Sequence, residues 1–259
     1  VEETAQVGDV SVKLVAMALE KGIVKPDTVF QTSPFVVGIK QIKDVHSHPS
    51  LSVQQIIEKS SNVGTVKMAM NFSPQAMWEM YTTVGFGQQP NFGFPGAVAG
   101  RVRHYKTWRP IEQATMSYVH GVAVSLIQMA RSYMIFARNG ELIPLSFQKL
   151  EHAPKAQQVI SAKTALQMRE MMETVTGSGG TGMKARVPGY RVAGKTGTAH
   201  KLEHGQYVNK YIGSFVGYAR VSNPRVIVAV MIDEPSAGAY YGGTVAGPRG
   251  WKPCRKIGA

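Results

Sequence analysis

The chain has 259 residues, 44% of them hydrophobic, enough for one large mixed core or a core with a helical subdomain. Its single cysteine, Cys254, excludes a disulfide within the chain, and no apolar run reaches the ~18 to 20 residues of a membrane span. The net charge of +13 comes from scattered lysines and arginines without a recognisable nucleic-acid motif, so an anionic glycan, an acidic partner or anionic lipid heads fit better than nucleic acid.

Taken in chain order, hydrophobic periodicity predicts a helix over 14–22, then an irregular stretch with Pro26, Pro34 and Pro49. Helices follow around 51–59, 63–71 and 74–84, then a glycine- and proline-rich loop from Gly85 to Gly100. Further helices fall near 110–117, 122–138 and 161–175, the last ended by Gly177 to Gly182, whose glycines permit a tight reversal. This glycine run lacks the Gly-Lys-Ser/Thr ending and the preceding strand of a phosphate loop. Residues 189–198, 211–219 and 225–233 read as three antiparallel strands. The unbroken apolar run Val226 to Ile232 predicts that the third is a central strand buried on both faces.

Two motifs stand out. Gly194-Lys195-Thr196-Gly197-Thr198-Ala199 puts a cation, two hydroxyls and a side-chain-free position on one strand. An edge strand of this kind can receive an extended acyl substrate: Lys195 and Thr196 or Thr198 meet a carboxylate while Gly197 admits the backbone. The bland alternative is an ordinary strand with a glycine bulge. Ser60-Ser61-Asn62 lies between two helical segments, where a serine or asparagine is also a preferred N-cap. The pairing of the two motifs is far more specific than either alone, because Ser-x-Asn and Lys-Thr-Gly occur together in serine acyl-transfer enzymes. The histidines show no metal-ligand spacing, so no metal and no cofactor are expected, and the 13 methionines read as core filler.

With these motifs stand Glu58 to Gly64, Gly93-Phe94-Pro95-Gly96, Trp108 to Ser117, Asp233-Glu234-Pro235 and Tyr240-Tyr241-Gly242-Gly243. In this set the chain resembles the transpeptidase domain of class B penicillin-binding proteins, the division-type peptidoglycan D,D-transpeptidases of Gram-negative bacteria. The resemblance covers about 15–248 of a single domain spanning 1–259, with 1–14 and 249–259 atypical. It implies an α/β (α+β) fold of the serine β-lactamase kind, an antiparallel sheet flanked by helices plus a helical subdomain.

The resemblance also implies a chemistry. A serine attacks the carbonyl of a D-Ala-D-Ala stem peptide, an acyl-enzyme forms, and an amine of a second stem peptide resolves it; β-lactams mimic the donor. By resemblance Ser60 and Asn62 handle proton relay and the substrate amide, and Lys195 supports the proton network. Thr196 and Thr198 hold the substrate carboxylate beside Gly197, the backbone N–H of Thr198 forms half of an oxyanion hole, and Tyr241 and Gly242 line the cleft rim. Implied partners are peptidoglycan stem peptides, β-lactams and, for the parent protein, division-complex proteins. The implied location is the periplasmic face of the inner membrane, with the family's anchor and pedestal domain expected to be missing from this chain.

One motif departs from the family. Where Gly-Ser-x-x-Lys-Pro opens a helix in relatives, this chain reads Gly8-Asp9-Val10-Ser11-Val12-Lys13-Leu14. Aligned without a gap from Val15 backwards, Gly8 takes the nucleophile position and Ser11 that of the lysine; a two-residue deletion instead leaves Val10 at the serine and brings Lys13 into register. Serine and lysine at i and i+3 share a helix face, whereas at i and i+2 they point about 160° apart at ~100° per residue. Ser11 and Lys13 are therefore catalytic candidates only if they lie outside a helix. Further departures are Val119 and His120, and the tail from Arg249 to Ala259, interrupted by Pro253 and without helical period.

The sequence thus supports a D,D-transpeptidase domain whose activity is in question because Ser-x-x-Lys is absent. A β-lactamase or esterase of the same fold is one alternative, although no Glu-x-x-x-Asn element for a deacylating water is evident near 100–120. A non-catalytic module that binds peptidoglycan or β-lactams is another.

Overall fold

The computed structural model describes residues 4–6, 10–93, 95–118, 121–203 and 206–250. Its elements run β1 (Thr4–Gln6), α1 (Ser11–Glu20), β2 (Val29–Gln31), β3 (Phe35–Val37), β4 (Lys40–Ile42), β5 (Ser50–Ser52), α2 (Val53–Lys59), α3 (Asn62–Ala69) and α4 (Pro74–Thr83). They continue with β6 (Arg101–Val102), α5 (Pro110–Met116), β7 (Val122–Ser125), α6 (Leu126–Ser132), α7 (Met134–Ala137), β8 (Glu141–Leu142), β9 (Gln157–Gln158) and α8 (Ala162–Thr176). The chain then enters β10 (Val192–Glu203), β11 (Gln206–Ala219), β12 (Val226–Asp233), α9 (Gly242–Val245) and α10 (Gly247–Gly250).

The helical half is organised by α1. Apart from Ser11, Lys13 and Glu20 its residues are apolar, as expected of a helix enclosed by protein, and all residues from Ser11 to Leu19 are buried. It contacts α2, α3, α4 and α8. The polar end of α1 is fixed by Glu20, whose carboxylate accepts from the backbone N–H and the hydroxyl of Ser161, the N-cap of α8. Serine caps set the other helix starts: Ser52 with Gln55 in a capping box for α2, Ser73 for α4, and Ser125 with Gln128 for α6.

The other half is the antiparallel sheet β10-β11-β12, paired from Val192↔Ala219 to Glu203↔Gln206 and from Ile212↔Asp233 to Ala219↔Val226. Helix α8 lies across it: Met168, Met171, Met172 and Val175 from the helix join Ala193, Val216 and Tyr218 from the sheet in the main core. This is the mixed helix-and-sheet architecture that the sequence implies, with Lys195 to Thr198 on an edge strand.

Several sequence expectations are corrected. The first helix begins at Ser11, so Ser11 and Lys13 are inside it. The segment expected as one helix over 122–138 opens as strand β7, which pairs with β1 and β6 through β-branched Val122 and Val124, before Ser125 starts α6. Among the described strands β12 is not central: it is the outer strand of its sheet and half-buried along most of its length, while β11 is the inner one. Of the tail expected to lack helix, Arg249 and Gly250 form the end of the short α10 (Gly247–Gly250). Residues 251–259, with Cys254, and also Gly8, Asp9, Val119 and His120, lie outside the described residues.

Candidate active site

The two motifs meet across a cleft of about 320 Å3, walled by Ser60, Asn62, Thr196, Gly197, Thr198 and Tyr241, with Lys59, Thr181, Gly243 and Thr244 between them. Ser60 comes from the junction of α2 and α3. It closes α2 as a C-cap in the left-handed conformation (φ 59°, ψ 48°), a region that a non-glycine residue occupies at a cost. The N-cap role that local sequence offers to either serine belongs to Ser61, whose hydroxyl accepts from Gly64 N–H at 3.0 Å. Ser60 is thereby turned toward the sheet.

There it meets Lys195. The Lys195 ammonium donates to Ser60 Oγ at 2.6 Å and to the carbonyl of Thr196 at 2.8 Å, with the side chain 1% exposed behind the cleft wall. An amine and a hydroxyl this close form a proton-transfer pair, and burial from water strengthens their coupling. Thr196 is held by a hydroxyl-to-hydroxyl bond with Thr181 at 2.8 Å. The hydroxyl of Thr198 accepts from Gly242 N–H at 3.0 Å, which leaves its own hydrogen available to the cleft. Asn62 donates through Nδ2 to the carbonyl of Lys43 at 3.3 Å, which leaves its side-chain oxygen as an acceptor.

The roof of the cleft is a glycine turn packed on the strand. A Cβ on Gly242 would lie 2.1 Å from the carbonyl oxygen of Gly197 and 2.3 Å from that of Ser214, and one on Gly243 would lie 2.0 Å from the carbonyl oxygen of Thr181. Only glycine permits this approach. Gly242 is consequently buried beneath the rim, and Tyr241, Gly243 and Thr244 form the wall beside it. At the far end of β10, Lys201 donates to Asp233 at 3.0 Å and to Glu234 at 2.7 Å, tying that strand to the end of β12. The bonds with Glu234 and then Asp233 hold the Lys201 amine above its usual range, and Lys201 holds the Glu234 carboxyl below its own.

Ser11 and Lys13 are placed apart from this cleft. Both are buried in α1 and neither lines it. Their spacing of two on a helix turns them to different sides, and the Lys13 ammonium runs to Met129 Sδ at 3.8 Å, over the ring of Tyr133 at 4.2 Å and near that of Phe86 at 5.5 Å.

Three contributors went unnoticed in the sequence. Asp44 accepts from Ser61 Oγ at 2.6 Å and from Val63 N–H at 2.9 Å, fixing the start of α3. Lys59 donates to the carbonyl of Gly179 at 2.8 Å and pairs with Glu58 at 2.9 Å. It thus draws the glycine loop that carries Thr181 onto the cleft. Asp44 and Thr181 carry no local signal, because their roles exist only across long chain separations.

Comparison with known proteins gives the family. The family described as penicillin binding protein transpeptidase domain matches residues 12–252. The chain belongs to this family. Among its relatives, the probable peptidoglycan D,D-transpeptidase PenA of Neisseria flavescens is 49% identical over 235 residues, which is 90% of this chain and 59% of the relative. The chain therefore spans less than two thirds of that protein. Among solved structures, the TP domain of Burkholderia pseudomallei penicillin-binding protein 3 matches with a TM-score of 0.90 at 45% identity, covering 95% of this chain and 76% of that one. Penicillin-binding protein 3 of Mycobacterium tuberculosis, solved in complex with aztreonam, matches with a TM-score of 0.87 at 30% identity, covering 99% of this chain and 64% of that one. Among the described residues, no helix of the transpeptidase domain is long and apolar enough to cross a membrane.

Proposed function

We propose that this domain is the transpeptidase unit of a peptidoglycan D,D-transpeptidase, and that its cleft receives the D-Ala-D-Ala end of a stem peptide or a β-lactam in its place. The observation that carries this reading is the Lys195–Ser60 pair at 2.6 Å, with Thr196, Gly197 and Thr198 on one wall of the same cleft. In this reading Thr198 and Thr196 hold the substrate carboxylate, Gly197 lets the extended substrate lie along β10, and the backbone N–H of Thr198 serves the carbonyl oxygen. Ser60 and Lys195 relay protons, Asn62 holds the substrate amide, and Tyr241 covers the rim. The aztreonam complex of the M. tuberculosis relative supports β-lactam recognition by this fold. The relatives named as peptidoglycan transpeptidases support periplasmic action, and we extend the reading to the inner-membrane face and to division-complex partners of the longer protein.

A second reading, a binding module that recognises these ligands without forming an acyl-enzyme, draws on one observation. Ser11 and Lys13, the nearest remnants of a Ser-x-x-Lys motif, are enclosed in α1 away from the cleft. Intact mass after exposure to a penicillin, run beside calorimetry of the same mixture, tests both. A penicillin adduct of one equivalent supports covalent transpeptidase chemistry, and peptide mapping identifies the serine. Calorimetric binding without an adduct supports the binding module, and neither signal would overturn the assignment of the cleft.

A further inference from the structure

A second cavity, of about 220 Å3, lies among the Gly85–Asn91 loop, α6 and Pro144-Leu145, and it shares no lining residue with the active-site cleft. Arg131 of α6 lines it. The guanidinium lies directly against Gly85, where φ is +97° and an added Cβ would sit 2.5 Å from Nη1.

The neighbouring carbonyls serve another group. Gln128, one turn earlier on α6 and 1% exposed, spends its Nε2 on the carbonyls of Gly85 at 2.9 Å, Gln88 at 2.9 Å and Ala99 at 2.8 Å. The backbone that could have received the cation is thus turned toward a neutral amide. Arg131 forms no hydrogen bond or ion pair with any described residue, and no aspartate or glutamate lines the cavity. Half-buried beside this loop, its guanidinium is pushed below its ordinary range by loss of water. A fork of five donors in such a place calls for a planar acceptor.

We propose that this cavity is a binding site for a small carboxylate, whose two oxygens take the Arg131 fork while a short apolar stem lies against Pro90, Pro144 and Leu145. The polar groups at the mouth, Gln88 and Asn91, are exposed amides able to meet a further polar group of the ligand. The cavity is smaller than the ~300 Å3 at which drug-sized sites begin, which limits the ligand to a few bonds beyond the carboxylate. Pro90, Pro144 and Leu145 offer a short hydrocarbon stem contacts that inorganic phosphate, charged on every face, does not make.

The test is a titration of the full 259-residue chain with butyrate, and separately with inorganic phosphate, following the arginine Nε–H resonances. The Arg131 resonance is expected to shift and saturate with butyrate, while exposed Arg225 moves only with ionic strength. Arg131→Gln should weaken butyrate binding by about tenfold or more, the loss expected for a charge-assisted bidentate pair. Because a half-buried arginine contributes to packing, Asn91→Asp provides a second variant: it adds a competing carboxylate at the exposed mouth and should reduce affinity without touching Arg131. Penicillin binding at the cleft should be unchanged by butyrate and by Asn91→Asp, so this result stands or falls apart from the proposed function. An Arg131 resonance that follows Arg225 throughout, tighter binding of phosphate than of butyrate, or full affinity in both variants would each overturn the assignment.

Discussion

Lys195 and Ser60, 135 positions apart, are joined by a hydrogen bond of 2.6 Å that ties the helical half of the domain to its sheet. The bond requires Ser60 to hold a left-handed backbone, so the side chain and the backbone of this residue make opposite demands on stability.

The two demands separate by mutation. Ser60→Ala keeps the unfavourable φ and deprives the buried Lys195 ammonium of an acceptor, at a cost of about 1.5 to 3 kcal/mol. Ser60→Gly loses the same bond but relieves the left-handed strain, which recovers roughly 1 kcal/mol. The glycine variant is therefore expected to melt above the alanine variant, with both impaired in β-lactam binding. Equal melting temperatures would mean that the backbone carries no strain at this position.

Thr198 serves two partners at once. Its oxygen accepts from Gly242 N–H, and its hydrogen is available to a ligand carboxylate. Thr198→Val preserves volume but removes both, so carboxylate ligands should bind more weakly by about 1 to 3 kcal/mol, and the unpaired Gly242 N–H should lower stability by about 1 to 2 kcal/mol. Thr198→Ser should restore both properties. Unchanged β-lactam affinity of the valine variant in calorimetry would assign this hydroxyl to the fold alone.

Much of this was legible in the sequence because it rests on local pattern. The three long strands and most helices follow from apolar period and serine caps, and Lys195 to Thr198 falls on an edge strand as expected. What escaped depends on distant pairing. Val122 to Ser125 is strand because β1 and β6 are beside it, and β12 is apolar without being central because neighbours cover it only in part. Asp44 and Thr181 gain their roles from Ser61 and Thr196, which no spacing in their own segments could announce. Ser60 shows the converse: the capping signal was correctly located, but its neighbour Ser61 uses it.

The charge cluster at the ends of β10 and β12 gives a pH signature. Glu234 has its carboxyl held below 4.5 by Lys201, so its contribution is present above that value and is lost as pH falls through the lowered folded-state value. Lys201 has its amine raised above 10.5, so its contribution is present below that value and disappears as pH rises through the raised one. Lys201→Met should remove the high-pH flank and weaken the low-pH one, where Lys210 also attracts Glu234 at 3.6 Å, lowering the melting temperature slightly between these limits and not beyond them. Because the carboxylates Asp233 and Glu234 are exposed, the difference should shrink in high salt. A difference independent of pH and salt would show that the packing of the Lys201 stem matters, and not its charge.

Lys13 offers the sharpest contrast between charge and packing. It is 0% exposed on a helix otherwise enclosed by apolar groups, with Tyr133, Phe86 and Met129 around its ammonium. Removing an ammonium from water costs several kcal/mol, while contact with a ring face returns about 2 kcal/mol. The rings alone therefore do not offset the desolvation, and the ammonium is held by its partners taken together. Methionine has a similar length, bends as readily and retains favourable sulfur–aromatic contact. Lys13→Met is accordingly expected to leave β-lactam binding unchanged, since the side chain lies away from the cleft, while urea unfolding at an unchanged denaturant slope reads what the ammonium and its partners contribute to stability. Loss of stability would show that the ammonium is a structural element of the core, and loss of ligand binding with stability intact would return Lys13 to the candidates for catalysis.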